Sequence, residues 1–119
     1  MGRHVVFYET AEGRQPAEEF LDSLNSTEAQ KVTWTLKLIE DLDRVPINYF
    51  KKLPDTDDIW ECRIRFASKI FRMLAFMDGS DVVLTHGFIK KTQKTPKREI
   101  EKAEENRKDY FDRKRRKQS

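Results

Sequence analysis

The residues that could do chemistry in this chain are mostly cations, placed along or just after three apolar segments. Arg63 and Arg65 stand two positions apart in IWECRIRF. Arg72 interrupts the apolar IFRMLAFM, and His86 lies near the end of VVLTHGF. Further cations follow at once: Lys90, Lys91, Lys94, Lys97 and Arg98. Arginines hold phosphates through paired hydrogen bonds, and histidine or lysine can move protons, so the set predicts a site for a polyanion.

Each cation also has an ordinary structural explanation. An exposed strand arginine is commonly solvated or paired with a neighbour such as Glu61, and a single histidine is commonly a satisfied structural residue. Surface lysines such as Lys94 are common. Arg72 is harder to dismiss, because a charge in so apolar a strand needs a partner or a function. The two explanations stay open for each residue, while the group as a whole favours an anion-binding surface.

Charge is distributed unevenly along the 119 residues. Residues 1–58 contain 7 Lys/Arg and 12 Asp/Glu, whereas residues 59–119 contain 17 and 9. A basic half beside an acidic half favours a polyanionic partner for one face. A solvated basic helix at the C-terminus explains part of the excess.

Several classes of site are excluded by the residues present. Two histidines, His4 and His86, and one cysteine, Cys62, cannot supply an ordinary zinc site. Four scattered glycines form no phosphate-binding loop. The remaining possibilities are a reaction that needs neither metal nor cofactor, or no catalysis. On RNA, the arginines could hold a phosphate while a histidine or lysine takes the proton of the neighbouring 2′-OH, which then attacks that phosphate.

The chain is predicted to be cytoplasmic, without a membrane partner. A single cysteine allows no internal disulfide, which fits a reducing compartment. The N-terminal MGRHVVFYE has no signal-peptide core, and no apolar run approaches the roughly 20 residues that span a bilayer.

Hydrophobic periodicity predicts the elements that position these cations. A strand covers His4–Glu9 and one helix begins at Pro16. A second helix runs to about Asp43 from a start that resembles a capping box at Asn25 and Glu28, with Ser26 as an equally good cap. Residues 44–58 are predicted to be a loop. The three segments that carry the cations follow as an antiparallel meander, spanning 59–66, 70–77 and 82–88. Hairpin pairing would bring Arg63, Arg65, Arg72 and His86 to one concave surface.

The last helix is predicted to begin at Thr95-Pro96, with Thr95 as N-cap. Its tail, about 111–119, is predicted to fray. Residues 1–119 are therefore predicted to form one α+β domain. A curved antiparallel sheet carries the N-terminal strand and a helical hairpin packed on one face, leaves the other face partly open, and is followed by a C-terminal helix.

From Leu53 to about Tyr110 the chain resembles the RelE/HigB superfamily of toxins, in the HigB branch common in phages and bacterial chromosomes. The resemblance rests on motifs in a fixed order: Trp60-Glu61-Cys62-Arg63, Phe71-Arg72, His86-Gly87-Phe88, Lys90-Lys91, Lys94-Thr95-Pro96 and Glu99-Ile100. Cys62 departs from the pattern, since the family generally has an aliphatic residue there.

The resemblance implies a RelE-like fold and a type II toxin that enters the ribosomal A site and cuts mRNA there without a metal or cofactor. Its partners would be mRNA, ribosomal RNA and a helix-turn-helix antitoxin, with a toxin–antitoxin heterotetramer as one assembly. Arg63 and Arg72 would bind the scissile phosphate and His86 would be an acid or base. Lys90 and Lys91 would hold RNA, with one lysine as an alternative base. Further RNA contacts are predicted at Arg65, Lys69, Lys94, Lys97 and Arg98.

Two other interpretations stay open. The protein could bind RNA or the ribosome without cutting, as a decayed toxin. Alternatively, its basic face could dock an acidic antitoxin-like protein. Both share the fold and charge of the nuclease.

Overall fold

The computed structural model of the chain describes residues 2–89 and 94–118. Along these residues the elements are β1 (His4–Phe7), α1 (Pro16–Asp22), α2 (Ser26–Asp41), β2 (Phe50–Lys52), β3 (Trp60–Phe66), β4 (Lys69–Asp78), β5 (Asp81–Ile89) and α3 (Lys97–Gln118). The five strands form one sheet in the order β1-β5-β4-β3-β2. The predicted α+β fold with an N-terminal strand, a helical hairpin and a C-terminal helix is confirmed.

Two strands differ in detail from the prediction. β1 pairs with β5 in parallel, whereas the other neighbouring strands are antiparallel. The segment predicted to be a loop contains β2, which pairs with β3 through Phe50 and Cys62. Phe50 stacks on Trp60 with ring centroids 4.9 Å apart, and this contact holds the short strand against the sheet.

The helical hairpin begins at residues that satisfy free backbone groups. Pro16 starts α1, where a missing N–H costs nothing. At α2 the Asn25 side chain accepts from the Glu28 N–H at 2.9 Å, and Glu28 Oε1 accepts from the Asn25 N–H at 3.1 Å. The predicted capping box is thus confirmed, and such a cap stabilises a helix by about 1 kcal/mol.

The sheet buries residues on both faces. The hairpin covers one face, where the core contains Cys62, Ile64, Phe71, Met73, Val32 and Ile39. α3 covers part of the opposite face, over Leu74, Phe76 and Val83, through Ala103, Ile100, Tyr110 and Phe111. None of the helices in the described ranges is long and apolar enough to cross a membrane.

The C-terminal helix continues to Gln118, although the sequence predicts fraying from about residue 111. Phe111 packs on Phe76 with ring centroids 5.6 Å apart. Asp78 accepts hydrogen bonds from Tyr110 Oη at 2.7 Å and from Lys114 Nζ at 2.6 Å. These contacts fasten the basic end of α3 to the β4–β5 hairpin. Cations in the last helical turn also suit the helix dipole.

Candidate anion-binding site

Three charged residues meet on the α3 face of the sheet and are called the Glu61 cluster here. The register places Arg63 of β3 directly opposite Arg72 of β4, and Glu61 shares their face because it lies two residues before Arg63. Glu61 Oε1 is 3.5 Å from Arg63 Nε, and Glu61 Oε2 is 3.8 Å from Arg72 Nε. The cluster is therefore two guanidinium groups around one carboxylate.

Burial differs within the Glu61 cluster. The side chain of Arg72 is 0% exposed and that of Glu61 is 3%, but that of Arg63 is 26% exposed. Burial lowers the pKa of Arg72, Glu61 raises it, and Arg63 lowers it further. Because arginine keeps its proton in proteins, Arg72 is a buried cation that depends on Glu61 for compensation. From the sequence alone, Glu61 is predicted only as an ion-pair partner of a strand arginine. Its spacing of two residues from Arg63 puts both side chains on one face of the strand, and this signal could have identified Glu61 as a site residue.

The segment that leads into α3 covers Arg72. Arg72 Nη1 donates to the Lys94 carbonyl at 3.3 Å, and the Thr95 hydroxyl donates to Glu61 Oε2. Thr95 is predicted as the N-cap of the last helix; in the structure its proton goes to Glu61 and α3 begins at Lys97. In this conformation a ligand can reach Arg63, whereas Arg72 stays covered.

A cavity of about 340 Å³ opens beside the Glu61 cluster and is called the first cavity. Its wall includes the side chains of Arg63, Glu61, Lys51, Asp55, Lys94 and Thr95. Lys51 and Lys94 are exposed. Cations from β2, β3 and the segment before α3 therefore converge on a space of the size that small ligands occupy.

His86 lies on the same face, one strand further along the sheet. The β4–β5 register shifts between Leu74, which faces His86, and Ala75, which faces Leu84, so β5 has one extra residue at Thr85. This bulge lets the Thr85 hydroxyl lie 2.7 Å from His86 Nδ1, while His86 Nε2 lies 3.1 Å from Glu99 Oε1. Both ring nitrogens thus have partners, and the imidazole joins β5 to the first turn of α3.

The structure does not bring His86 to the first cavity. Its side chain is 5% exposed and is not among those in the cavity wall. Burial is the main cause that lowers the pKa of His86; Lys102 lowers it further, and Glu99 opposes the shift. An acid or base role for this histidine would require α3 to move.

The buried imidazole predicts a pH dependence of stability. The pKa of His86 is lower in the folded protein than its ordinary value of about 6.5 in the unfolded chain. At a pH between these two pKa values the unfolded chain therefore binds more protons than the folded protein. Stability should therefore fall as pH decreases through 6.5 towards the folded pKa. We expect the urea midpoint to be lower at pH 5.5 than at pH 7.5, and His86→Gln to flatten that difference. An unchanged difference in His86→Gln would exclude His86 as its source.

The other predicted site residues separate into three groups. Arg65 is exposed on the same strand face as Arg63, and Lys97 and Arg98 are exposed in the first turn of α3. Lys69 alternates with Phe71 and Met73 onto the opposite face, where its Nζ is 2.9 Å from Glu28 Oε2. The structure thus separates Lys69 from the Glu61 cluster. Lys90 and Lys91 lie outside the described residues.

Residues 19–108 match the family model described as phage derived protein Gp49-like (DUF891). The chain belongs to this Gp49-like family. The family is phage-derived and toxin-like, of the RelE kind. No curated protein matches the sequence significantly. The matched region of this Gp49-like protein includes the whole Glu61 cluster and the segment that covers it.

Proposed function

We propose that this Gp49-like protein is the toxin of a type II toxin–antitoxin system, in the HigB branch, and that it cuts mRNA on the ribosome. The observation that carries the proposal is the first cavity, where the partly exposed Arg63 lies beside exposed Lys51 and Lys94 and is in contact with the Glu61 cluster. A phosphodiester is an anion of suitable charge for such a set. Membership of a toxin-like family supports the same assignment.

In the proposed reaction Arg63 binds the scissile phosphate through its guanidinium, and Lys51 and Lys94 add positive charge. The 2′-oxygen of the preceding ribose attacks the phosphorus and the bond to the 5′-oxygen breaks. The 5′-oxygen takes a proton from water, so the products are a 2′,3′-cyclic phosphate and a 5′-hydroxyl. Cations that already surround the phosphate stabilise the charge that develops on it. Lys90 and Lys91 remain proposed as further lysines on the RNA.

The proton of the 2′-OH needs an acceptor. Among the described residues, the carboxylates in the wall of the first cavity belong to Glu61 and Asp55. Glu61 is held by Arg63, Arg72 and Thr95, so its position is defined. We favour Glu61 as the base because it belongs to the wall of the first cavity; a 2′-OH would reach it once Thr95 moved, whereas His86 would serve only if α3 moved. Arg72 then acts as a positioning residue, unless Lys94 and Thr95 move and let it contact the phosphate.

The proposed RNA-binding surface is formed mainly by the cations of the sheet, and less by the basic C-terminal end of α3. Arg113 Nη2 is 2.7 Å from Asp109 Oδ2, and Lys114 Nζ is 2.6 Å from Asp78 Oδ2. These intramolecular ion pairs reduce the charge available to ribosomal RNA. The proposed partners are mRNA in the A site, ribosomal RNA and a helix-turn-helix antitoxin, all in the cytoplasm, with a toxin–antitoxin heterotetramer as one assembly.

Primer extension on a defined mRNA with purified ribosomes tests the proposal. We expect wild type to cut within A-site codons and Arg63→Ala to cut roughly 100-fold or more slowly, because one charge-stabilising donor is lost. Arg44→Ala, which removes an exposed arginine after α2, is the matched control and should cut normally. Arg63→Ala cutting at the wild-type rate would contradict the assigned role.

A non-catalytic binder is the second candidate function. The observation that favours it is Arg72, whose side chain is fully covered. Under this alternative, intact mRNA would accompany co-sedimentation of the wild-type protein with ribosomes. Neither cleavage nor co-sedimentation would instead indicate a surface for protein docking.

A further inference from the structure

A second cavity, of about 370 Å³, lies between α2, the segment before β2, and β3. Its wall includes Lys31, Thr35, Asn48, Tyr49, Arg63, Ile64 and Arg65. Arg63 also belongs to the wall of the first cavity. The two cavities are therefore neighbours at the edge of β3 that share Arg63.

Positive charge predominates in the wall of the second cavity. Lys31, Arg63 and Arg65 contribute to its wall, and none of the described residues in that wall is acidic. Neither Lys31 nor Arg65 forms an ion pair with any residue in the ranges 2–89 and 94–118. Lys31 Nζ lies 4.9 Å from the centroid of a Trp34 ring, and such a contact leaves its charge in place. The cavity is thus suited to an anion.

Two further side chains favour a nucleotide over a simple anion. Tyr49 offers an aromatic ring, and its carbonyl accepts from the Arg63 N–H at 2.9 Å, which fixes it beside β3. The exposed Asn48 has an amide that can both donate to and accept from a base edge. Unpaired bases commonly stack on tyrosine while cations hold their phosphates. An aspartate or glutamate side chain would pair with the cations but has no ring to stack on Tyr49.

We propose that the second cavity binds the nucleotide adjacent to the scissile phosphate on the same RNA strand. Lys31 and Arg65 hold its phosphate, Tyr49 stacks on its base, and the shared Arg63 marks the passage to the first cavity. Two residues along a strand span about 6.6–6.8 Å, so the backbones of Arg63 and Arg65 are close enough for both to act on one RNA segment. The choice of RNA as ligand rests on the proposed function; the anion-binding character of the cavity does not.

Fluorescence anisotropy of a labelled short single-stranded RNA with the full chain tests the proposal. We expect Lys31→Gln and Tyr49→Ala each to weaken binding roughly tenfold, and Lys31→Gln to reduce the slope of log affinity against log salt by about one. Tyr49→Phe keeps the ring and should bind as wild type. Lys37→Gln removes a lysine from α2 that lies outside the cavity and pairs with Asp41 at 3.4 Å, so it is the charge-matched control.

Three results would overturn the proposal. The first is that Lys31→Gln and Tyr49→Ala bind RNA with wild-type affinity. The second is that the wild-type protein shows no measurable RNA binding. The third is that a glutamate-rich peptide displaces the labelled RNA at a lower concentration than unlabelled RNA does. The last would identify an acidic protein segment as the occupant. Urea unfolding of each variant excludes loss of fold. If the wild-type protein does not cut mRNA while Lys31→Gln and Tyr49→Ala still bind RNA more weakly, the proposed nuclease activity is refuted but RNA binding in the second cavity is not.

Discussion

Arg72→Ala is expected to lower the free energy of unfolding by about 3 kcal/mol and to stop mRNA cleavage. The substitution removes a fully buried guanidinium and leaves the buried Glu61 carboxylate with Arg63 as its remaining cation in the cluster. Breaking one side of a buried ion pair typically costs about 3–5 kcal/mol, and the partly exposed Arg63, which stays beside Glu61, reduces that cost here. Urea unfolding measures the first effect and primer extension the second.

Loss of activity in Arg72→Ala alone would not separate a catalytic effect from partial unfolding. The double variant Arg72→Met, Glu61→Gln makes that separation, because it removes both buried charges and keeps an acceptor for the Thr95 hydroxyl. We expect it to be within about 1 kcal/mol of wild type in stability, since neutral replacements of buried ion pairs are often tolerated, and still inactive. A stable double variant that cuts mRNA at the wild-type rate would contradict the proposed roles of Glu61 and Arg72.

Gly87→Ala is expected to destabilise the fold by about 2 kcal/mol, with a fall in Tm of roughly 8 °C. A Cβ on Gly87 would lie 2.4 Å from Phe20 Cδ2 and 2.7 Å from Phe20 Cγ. The Phe20 ring cannot withdraw freely, because it packs edge-on against Phe71 with centroids 6.5 Å apart. Thermal unfolding followed by circular dichroism gives the change in Tm.

The matched control for Gly87→Ala is a double-mutant cycle with Phe20→Leu. A smaller side chain at position 20 leaves room for the added methyl group. The double variant should therefore lose less stability than the sum of the two single changes, with a coupling of about 1 kcal/mol or more. Strict additivity would show that the methyl group is accommodated elsewhere and that Phe20 is not the obstacle.

The connection between β5 and α3 joins the two parts of the proposed site. It contains Lys90, Lys91 and Lys94, which the sequence predicts to hold RNA. Its described end, Lys94–Thr95, covers Arg72 through a backbone carbonyl and contacts Glu61 through a hydroxyl. Any movement of this segment would therefore change both the position of Lys94 and the accessibility of Arg72.

The sequence by itself determined the elements that depend on neighbours in the chain. Alternation in IWECRIRF predicted the two faces of β3, and Asn25 with Glu28 predicted the start of α2. The charge in the apolar IFRMLAFM marked Arg72 as a residue that needs a partner. These signals are local, because strand alternation and helix capping act over a few residues.

The tertiary structure decided which distant groups meet. Thr95 donates to Glu61 across 34 positions, and Lys69 reaches Glu28 across 41, on the face opposite the Glu61 cluster. The parallel pairing of β1, the coverage of one face by α3, and the burial of His86 behind the Thr85 bulge depend in the same way on strand order and register. Periodicity shows which residues share a face of one element. It does not show which other element covers that face, because the packing of elements depends on the energy of the whole fold relative to its alternatives.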